Sequence, residues 1–332
     1  MQGLLVVNPK ATATTDRTRD VLIHALADQF SLQTVHTDHR EHAMELGRQA
    51  VTDNLDVVVV LGGDGTVNET VNGMMSVANG RTADELPCLG AVPGGSANVF
   101  CRALGMPFDP VEATGELVSA LRDGRTRTIG LARATGVTGD GDAFDRWITF
   151  NAGLGLDAEI IHSMEAQRAA GKEASPTRYL MTSVRSFFTG TNRKEPAVTL
   201  HVPPPESADD PPDGESADGE IPGVYLAIVQ NASPWTYLGT LAVNPLPGVD
   251  WDNGLGVWAV RRMRFVDGIR YTRRVLMRSK AGSTKTLFVG TDLPSFRAEA
   301  SPPIAMQIDG EGLGEIRTVD FTNHPHMLRV YC

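Results

Sequence analysis

Two short runs hold the residue types best able to do chemistry. In Val57-Val58-Val59-Val60-Leu61-Gly62-Gly63-Asp64-Gly65-Thr66, an apolar β-branched run ends in three glycines within four positions. Gly62, Gly63 and Gly65 let a backbone turn tightly and come close to a ligand, and a helix that follows would point its N–H groups and positive dipole end at the same place. Phosphate is the guest such a loop suits. The run lacks the Gly-Lys-Ser/Thr of a Walker A loop, and it is not the G-x-G-x-x-G of dinucleotide folds. Asp64 would repel a bare phosphate, so its place in the loop points to a divalent cation, Mg²⁺, between the two. For a lone loop, a plain Gly-Asp-Gly turn is the default explanation of the same residues. Thr66 and Glu69 have capping-box spacing, which gives Glu69 a structural rather than a catalytic part. A second turn, Pro93-Gly94-Gly95-Ser96-Ala97-Asn98, also opens a helix, expected over 97–104. Two such loops facing one crevice are harder to explain as turns alone.

The surrounding pattern provides that crevice. Short β-branched runs at 3–7, 32–37, 56–61 and 89–92 alternate with helical patterns near 15–30, 41–52 and 67–79. Such alternation means βαβ units and a parallel sheet. A further helix starts at Asp109-Pro110, with Glu112 three residues after the cap, and stops at Gly124. In a doubly wound, Rossmann-like sheet the loops at the carboxyl ends of neighbouring strands converge, which adds Asn8-Pro9-Lys10 to the rim. After about Thr126 the texture changes to short β runs at 127–132, 146–151, 197–202, 224–231, 256–260, 284–289, 304–308, 316–321 and 327–331. Helical patterns near 157–170 and 177–190 interrupt them. The expected α/β architecture is therefore a nucleotide-binding domain over 1–125 and a β-rich, mainly antiparallel sandwich over 126–332.

A chain of 332 residues has room for two cores. Hydrophobic residues at 41% and charged residues at 21% exclude collagen-like, coiled-coil and wholly disordered classes. The longest apolar run, around Val57 to Leu61, is far short of the ~20 residues a spanning helix needs. The start, Met1-Gln2-Gly3-Leu4, lacks a basic n-region and its apolar stretch ends at Asn8-Pro9, so no signal peptide is expected. Three cysteines at no metal-ligand spacing fit a reduced, cytoplasmic setting without disulfides. The net charge of −10 is unevenly spread. Seven acids and no Lys or Arg lie between Pro203 and Pro222, a Pro- and Gly-rich tract expected to be a disordered loop. The opposite bias marks 261–285, where nine Arg and Lys face the single acid Asp267. Phe265, Ile269, Val275 and Leu276 give that segment a helical apolar stripe, so it reads as a basic amphipathic helix. It suits either a solvated face or peripheral contact with anionic lipid.

Taken in order, VVVVLGGDGTVNETVNG and LGAVPGGSANVFCRALGMP resemble the catalytic domain of the diacylglycerol kinase and sphingosine kinase family, in particular its soluble bacterial lipid kinases. So do Val6 to Pro9, Thr37-x-x-Arg40-x-x-Ala43, Asn151 to Ala158, Asp252 to Leu255 and Ile308 to Glu311. The resemblance implies a two-domain kinase using ATP and Mg²⁺ to phosphorylate the hydroxyl of diacylglycerol, or a related lipid alcohol, to phosphatidate. It places Asn8, Thr37, Arg40, Gly62, Gly63, Asp64, Gly65, Thr66 and Ser96 on the nucleotide. It makes Glu311 the base that deprotonates the acceptor, where the residues alone suggest a surface turn. It also implies a structural Mg²⁺ at Asp252 and Asn253, although Asn253 stands where the family commonly has a second acid, and Val99 where relatives often have Asp. Phosphoryl transfer suits such a set, since it needs positioning, charge neutralisation and one carboxylate for the incoming alcohol. A small-molecule kinase such as an NAD kinase, and a binding regulator without catalysis, are the alternatives. Phe187-Phe188 and Tyr179 to Met181 favour an apolar acceptor slot, although core packing would give the same residues. The expected partners are ATP, the lipid alcohol, an anionic membrane surface met reversibly at 261–285 and, as an open alternative, a second copy in a homodimer; no nucleic acid is expected.

Overall fold

The computed structural model describes residues 1–11, 15–27, 30–155, 197–203, 219–262, 267, 270, 271, 273, 275 and 282–332. They fall into two units, Met1–Leu131 with Pro325–Cys332, and Ala132–His324.

The first unit is built on four parallel strands: β1 (Gln2–Val7), β2 (Ser31–His36), β3 (Val57–Gly62) and β4 (Cys88–Pro93), in the order β2-β1-β3-β4. All six residues of β3 and of β4 are buried, which is why both read as unbroken apolar runs: a parallel strand covered on both faces has no polar side to alternate with. The helices are α1 (Asp16–Ala27), α2 (His42–Thr52), α3 (Asp64–Ser76), the short α4 (Val99–Ala103) and α5 (Pro110–Asp123). The chain steps outward from β1 to β2 and then back across β1 to β3. Right-handed crossovers therefore send α1 to one face and α2 and α3 to the other. In agreement, α1 packs with α5 and α2 with α3. The α2–α3 contact is backbone against backbone. A Cβ on Gly73 would lie 1.9 Å from the Met44 carbonyl oxygen, and one on Gly47 2.2 Å from that of Thr70. The cap of α5 forms as its sequence suggests, with the Asp109 side chain accepting from the N–H of Val111 (2.9 Å) and Glu112 (3.1 Å) and Gly124 closing the helix at φ 66. Reversal of strand order makes the carboxyl ends of β1 and β3 a topological switch point, the place where open α/β sheets bind ligands.

The second unit is antiparallel. β5 (Thr126–Thr138) leads into it, followed by β6 (Ala143–Ile148), β7 (Asn151–Gly155), β8 (Val198–His201), β9 (Glu220–Val224), β10 (Leu226–Gln230), β11 (Thr236–Leu238), β12 (Leu241–Val243), β13 (Leu255–Val260), β14 (Leu287–Leu293), β15 (Ser295–Ile308) and β16 (Glu311–Tyr331). Antiparallel pairing joins β14, β13, β10, β7, β15 and β16 in that order, while β8 and β9 extend from the first half of β15. Their inward residues, among them Leu154, Leu200, Val257, Met306, Val319 and Phe321, share one core.

Several boundaries differ from the sequence reading. The division falls inside β5, six residues past the expected 125, and the last eight residues return to the first unit because Val330 pairs in parallel with Leu89 of β4. The short runs at 304–308, 316–321 and 327–331 belong to two long strands, β15 and β16, since polar outward residues break the apolar pattern along strands that run on. The acidic loop is shorter than 203–222, for Glu220, Ile221 and Pro222 already run in β9 and the Val202 N–H reaches the Gly219 carbonyl at 3.0 Å. The remainder of that loop, the expected helices near 157–170 and 177–190, Phe187-Phe188 and much of 261–285 lie outside the described residues. No helix among the described residues is long and apolar enough to cross a membrane.

Candidate active site

The switch point gathers most of the residues the sequence singles out in the first unit. Asn8 follows β1 and donates its N–H to the Leu61 carbonyl (3.0 Å), while its Nδ2 donates to Thr66 Oγ1 (3.0 Å) and its Oδ1 accepts from Lys10 N–H (2.9 Å). Thr37, half-buried just past β2, donates its N–H to the Val7 carbonyl (2.8 Å). Arg40 is exposed in the loop before α2, and Ser96 is exposed in the second glycine turn.

The two glycine turns are packed against each other. Gly94 N–H donates to the Gly62 carbonyl at 2.7 Å, a Cβ on Gly94 would meet Gly62 Cα at 2.9 Å, and one on Gly95 would meet Gly63 Cα at 2.9 Å. Backbone contact between the turns thus already demands glycine at these positions, independently of any ligand. Helix α3 begins at Asp64, so the N–H groups of Asp64, Gly65 and Thr66 form its first turn. This early start places Thr66 inside the helix and removes the expected capping box; Glu69 instead accepts the Glu41 N–H at 3.2 Å. Its half-burial raises its carboxyl pKa, outweighing that hydrogen bond.

Asp64 ties the turns together. Its Oδ2 accepts from Val99 N–H and its Oδ1 from Phe100 N–H, both at 3.0 Å, so the carboxylate caps α4, which starts two residues later than expected. Burial, with the Asp64 charge adding to it, pushes the thiol of Cys101 up. Anchored by these amides, the carboxylate is a hard oxygen donor, the chemistry that suits a Mg²⁺ ligand. A residue the sequence reading left without a role proves central to the loop. Asn98, buried at φ 48, accepts Gly95 N–H through Oδ1 and donates Nδ2 to the Gly95 carbonyl, both at 2.7 Å. Its signal was an Asn after a Gly-Gly turn, one of the few non-glycine residues that tolerate the left-handed region.

In the second unit Glu311 opens β16 across a tight hairpin turn, paired with Ile308 and partly exposed, with Asp309 at φ 48 and Gly310 at φ 83. These are the torsions of a two-residue I′ turn. The turn is braced from below. Asp309 is buried, its Oδ2 accepting from the N–H and the hydroxyl of Thr149 (2.7 Å each) and its Oδ1 from Phe150 and Asn151 N–H (3.0 Å each). Burial raises its carboxyl pKa against the pull of those bonds. Gln307 Oε1 accepts from Gly310 N–H (2.8 Å), and Gln307 Nε2 donates to Asn151 Oδ1 (3.1 Å). Asp252 and Asn253 are exposed in a turn whose Trp251 is buried and donates Nε1–H to the Thr149 carbonyl at 2.7 Å. Thr149 thereby links that turn to Asp309. Among the described residues, three metal-capable His, Cys, Asp or Glu side chains come together at Asp38, His39 and His42 and not at Asp252.

Known proteins share stretches of this sequence and its fold. Residues 2–134 match the family model described as diacylglycerol kinase catalytic domain. Diacylglycerol kinase of Bacillus subtilis is 33% identical over 94 residues, 28% of this chain and 28% of that protein. Sphingosine kinase 1 of Arabidopsis thaliana is 36% identical over 104 residues, 31% of this chain and 21% of that protein. The aligned stretches thus span less than a third of either relative. A crystal structure of a diacylglycerol kinase from Bacillus anthracis superposes with a TM-score of 0.65 at 20% identity, covering 99% of this chain and 96% of the other, which shows a common fold.

Proposed function

We propose that this chain, whose residues 2–134 belong to the diacylglycerol kinase catalytic domain family, transfers the γ-phosphoryl group of ATP to the hydroxyl of a lipid alcohol, diacylglycerol being the reference acceptor and phosphatidate its product. The observation that carries the reading is the pair of interlocked glycine turns at the switch point, fastened by Asp64 and opening on the first turn of α3. Gly62 to Thr66 present backbone N–H groups to the phosphates, with Asn8, Thr37, Arg40 and Ser96 completing the nucleotide site. Mg²⁺ held at Asp64 would supply charge neutralisation on the phosphates. Glu311 serves as the base that takes the proton from the acceptor hydroxyl, and Asp309 and Gln307 position its turn. The described part of 261–285 fits reversible docking on an anionic membrane, since Tyr271 is buried against Trp258 while Arg270 and Arg273 are exposed.

Glu311→Gln tests the division of labour. Turnover should fall ~10²–10⁴-fold, the worth of a general base, while ATP affinity measured by calorimetry stays within a few-fold. Lost ATP affinity would put Glu311 on the nucleotide and overturn its role.

A further inference from the structure

Beside the nucleotide rim, the loop from β2 to α2 carries side chains that phosphoryl transfer does not use. Asp38 Oδ1 lies 2.8 Å from His42 Nδ1 and in very short contact with His39 Nδ1, and the three ligand atoms fall within 4.8 Å of one another. The backbone N–H of Asp38 also points at His42 Nδ1, at 3.2 Å. With a proton on it the same nitrogen donates to the Asp38 carboxylate; without one, two lone pairs face each other and a cation can take the proton's place. A proton can fill one of the contacts; a single cation fills all of them. On the far side of His39, Nε2 faces Glu45 Oε1 at 3.4 Å. A carboxylate beside Nε2 favours the proton there and turns the Nδ1 lone pair toward Asp38, the arrangement that orients metal-bound histidines.

We propose that Asp38, His39 and His42 form a surface site for a divalent transition-metal ion of the Zn²⁺ class. Two imidazoles with one carboxylate suit Zn²⁺, Ni²⁺ or Cu²⁺ and not the hard Mg²⁺ of the kinase reaction. Ligands 2.0–2.2 Å from one ion stand roughly 3.3 Å apart in a tetrahedron, a spacing between the two short contacts to Asp38 and the 4.8 Å that bounds the three ligand atoms. The two rings are stacked at 4.5 Å and 11°, so their lone pairs lie in parallel planes. Sharing an ion needs one ring to turn, and the His39 side chain, 52% exposed, does so about the soft χ2 torsion. The ligands bracket Arg40, so a bound ion fixes the backbone of the loop that carries it.

The test is titration of ZnCl₂ into the full chain, free of any affinity tag, by calorimetry, alongside His39→Gln, His42→Gln and the double variant. Wild type should bind one more ion than the double variant, each single change should weaken that ion at least about tenfold, and millimolar Mg²⁺ should not displace it. Hydrogen exchange should slow at amides 38–42 when Zn²⁺ is added. Circular dichroism should be unchanged, as expected for exposed positions. Equal stoichiometry and affinity in wild type and the double variant, or Zn²⁺ protection confined to other segments, would overturn the site.

Discussion

Asp64 shows how one carboxylate can serve two ends. Its oxygens hold the Val99 and Phe100 amides, so the residue joins two loops as well as standing where phosphate charge would gather. Asp64→Asn keeps one acceptor but turns an NH₂ toward an N–H. It should therefore lower stability by about 1–3 kcal/mol, the cost of a buried donor left unsatisfied, besides abolishing phosphoryl transfer. Calorimetric unfolding checks the first effect; an unchanged melting temperature would show that the two amide bonds carry no weight. Glu69 gives the pH-dependent counterpart. Because half-burial raises its pKa, the folded state binds its proton more tightly than the unfolded state does. Its contribution to stability is then present below the unfolded carboxylate range and lost as pH rises through the folded value. Glu69→Gln keeps the acceptor for Glu41 N–H and removes the titration, so its urea midpoint relative to wild type should climb between pH 4 and pH 7. A difference that stays flat with pH would contradict the sign. At this scale the residue types were legible and their partners were not. The sequence marks Gly94 and Gly95 as special, but only the folded chain shows that they meet Gly62 and Gly63. The burial that turns Asp309 from a surface residue into a brace depends on Thr149, 160 positions away.

The elements of the first unit could be read because their signals are local. β3 and β4 are apolar throughout, and Asp109, Pro110 and Gly124 mark both ends of α5. The second unit resisted because its strands are half-exposed, so apolar runs capture fragments of β15 and β16 and miss the pairing that spans them. The α2–α3 contact was equally hidden, since Gly47 and Gly73 look like weak points in two helices until those helices touch. Gly73→Ala drives a methyl into the Met44 carbonyl and should cost about 1–3 kcal/mol, as overpacking does. Gly115, exposed in α5 with nothing near its missing Cβ, supplies the opposite case. Gly115→Ala should add roughly 0.5–1 kcal/mol by restricting the unfolded chain. Chemical denaturation of both variants decides it; Gly73→Ala as stable as wild type would mean the two helices separate freely.

Over the whole molecule, the proposed roles fall on separate units. The first unit carries the phosphate-type turns, and the second carries Glu311 on its braced hairpin together with the basic segment around Arg270 and Arg273. The uneven charge places seven acids between Pro203 and Pro222 and nine bases within 261–285. On the proposed reading, an acceptor that resides in a bilayer would account for a chain of net charge −10 that concentrates positive charge in one stretch. The most direct test supplies γ-labelled ATP and Mg²⁺ to the purified chain with phosphatidylglycerol vesicles containing diacylglycerol, a sphingoid base or no acceptor, and with NAD in solution as the non-lipid alternative. Label should move into the organic phase only when a lipid alcohol is present, and more slowly as salt screens the vesicle surface over a Debye length of ~10 Å at 0.1 M. Label that passes to NAD, or that reaches no lipid alcohol although ATP is bound, would contradict the assignment.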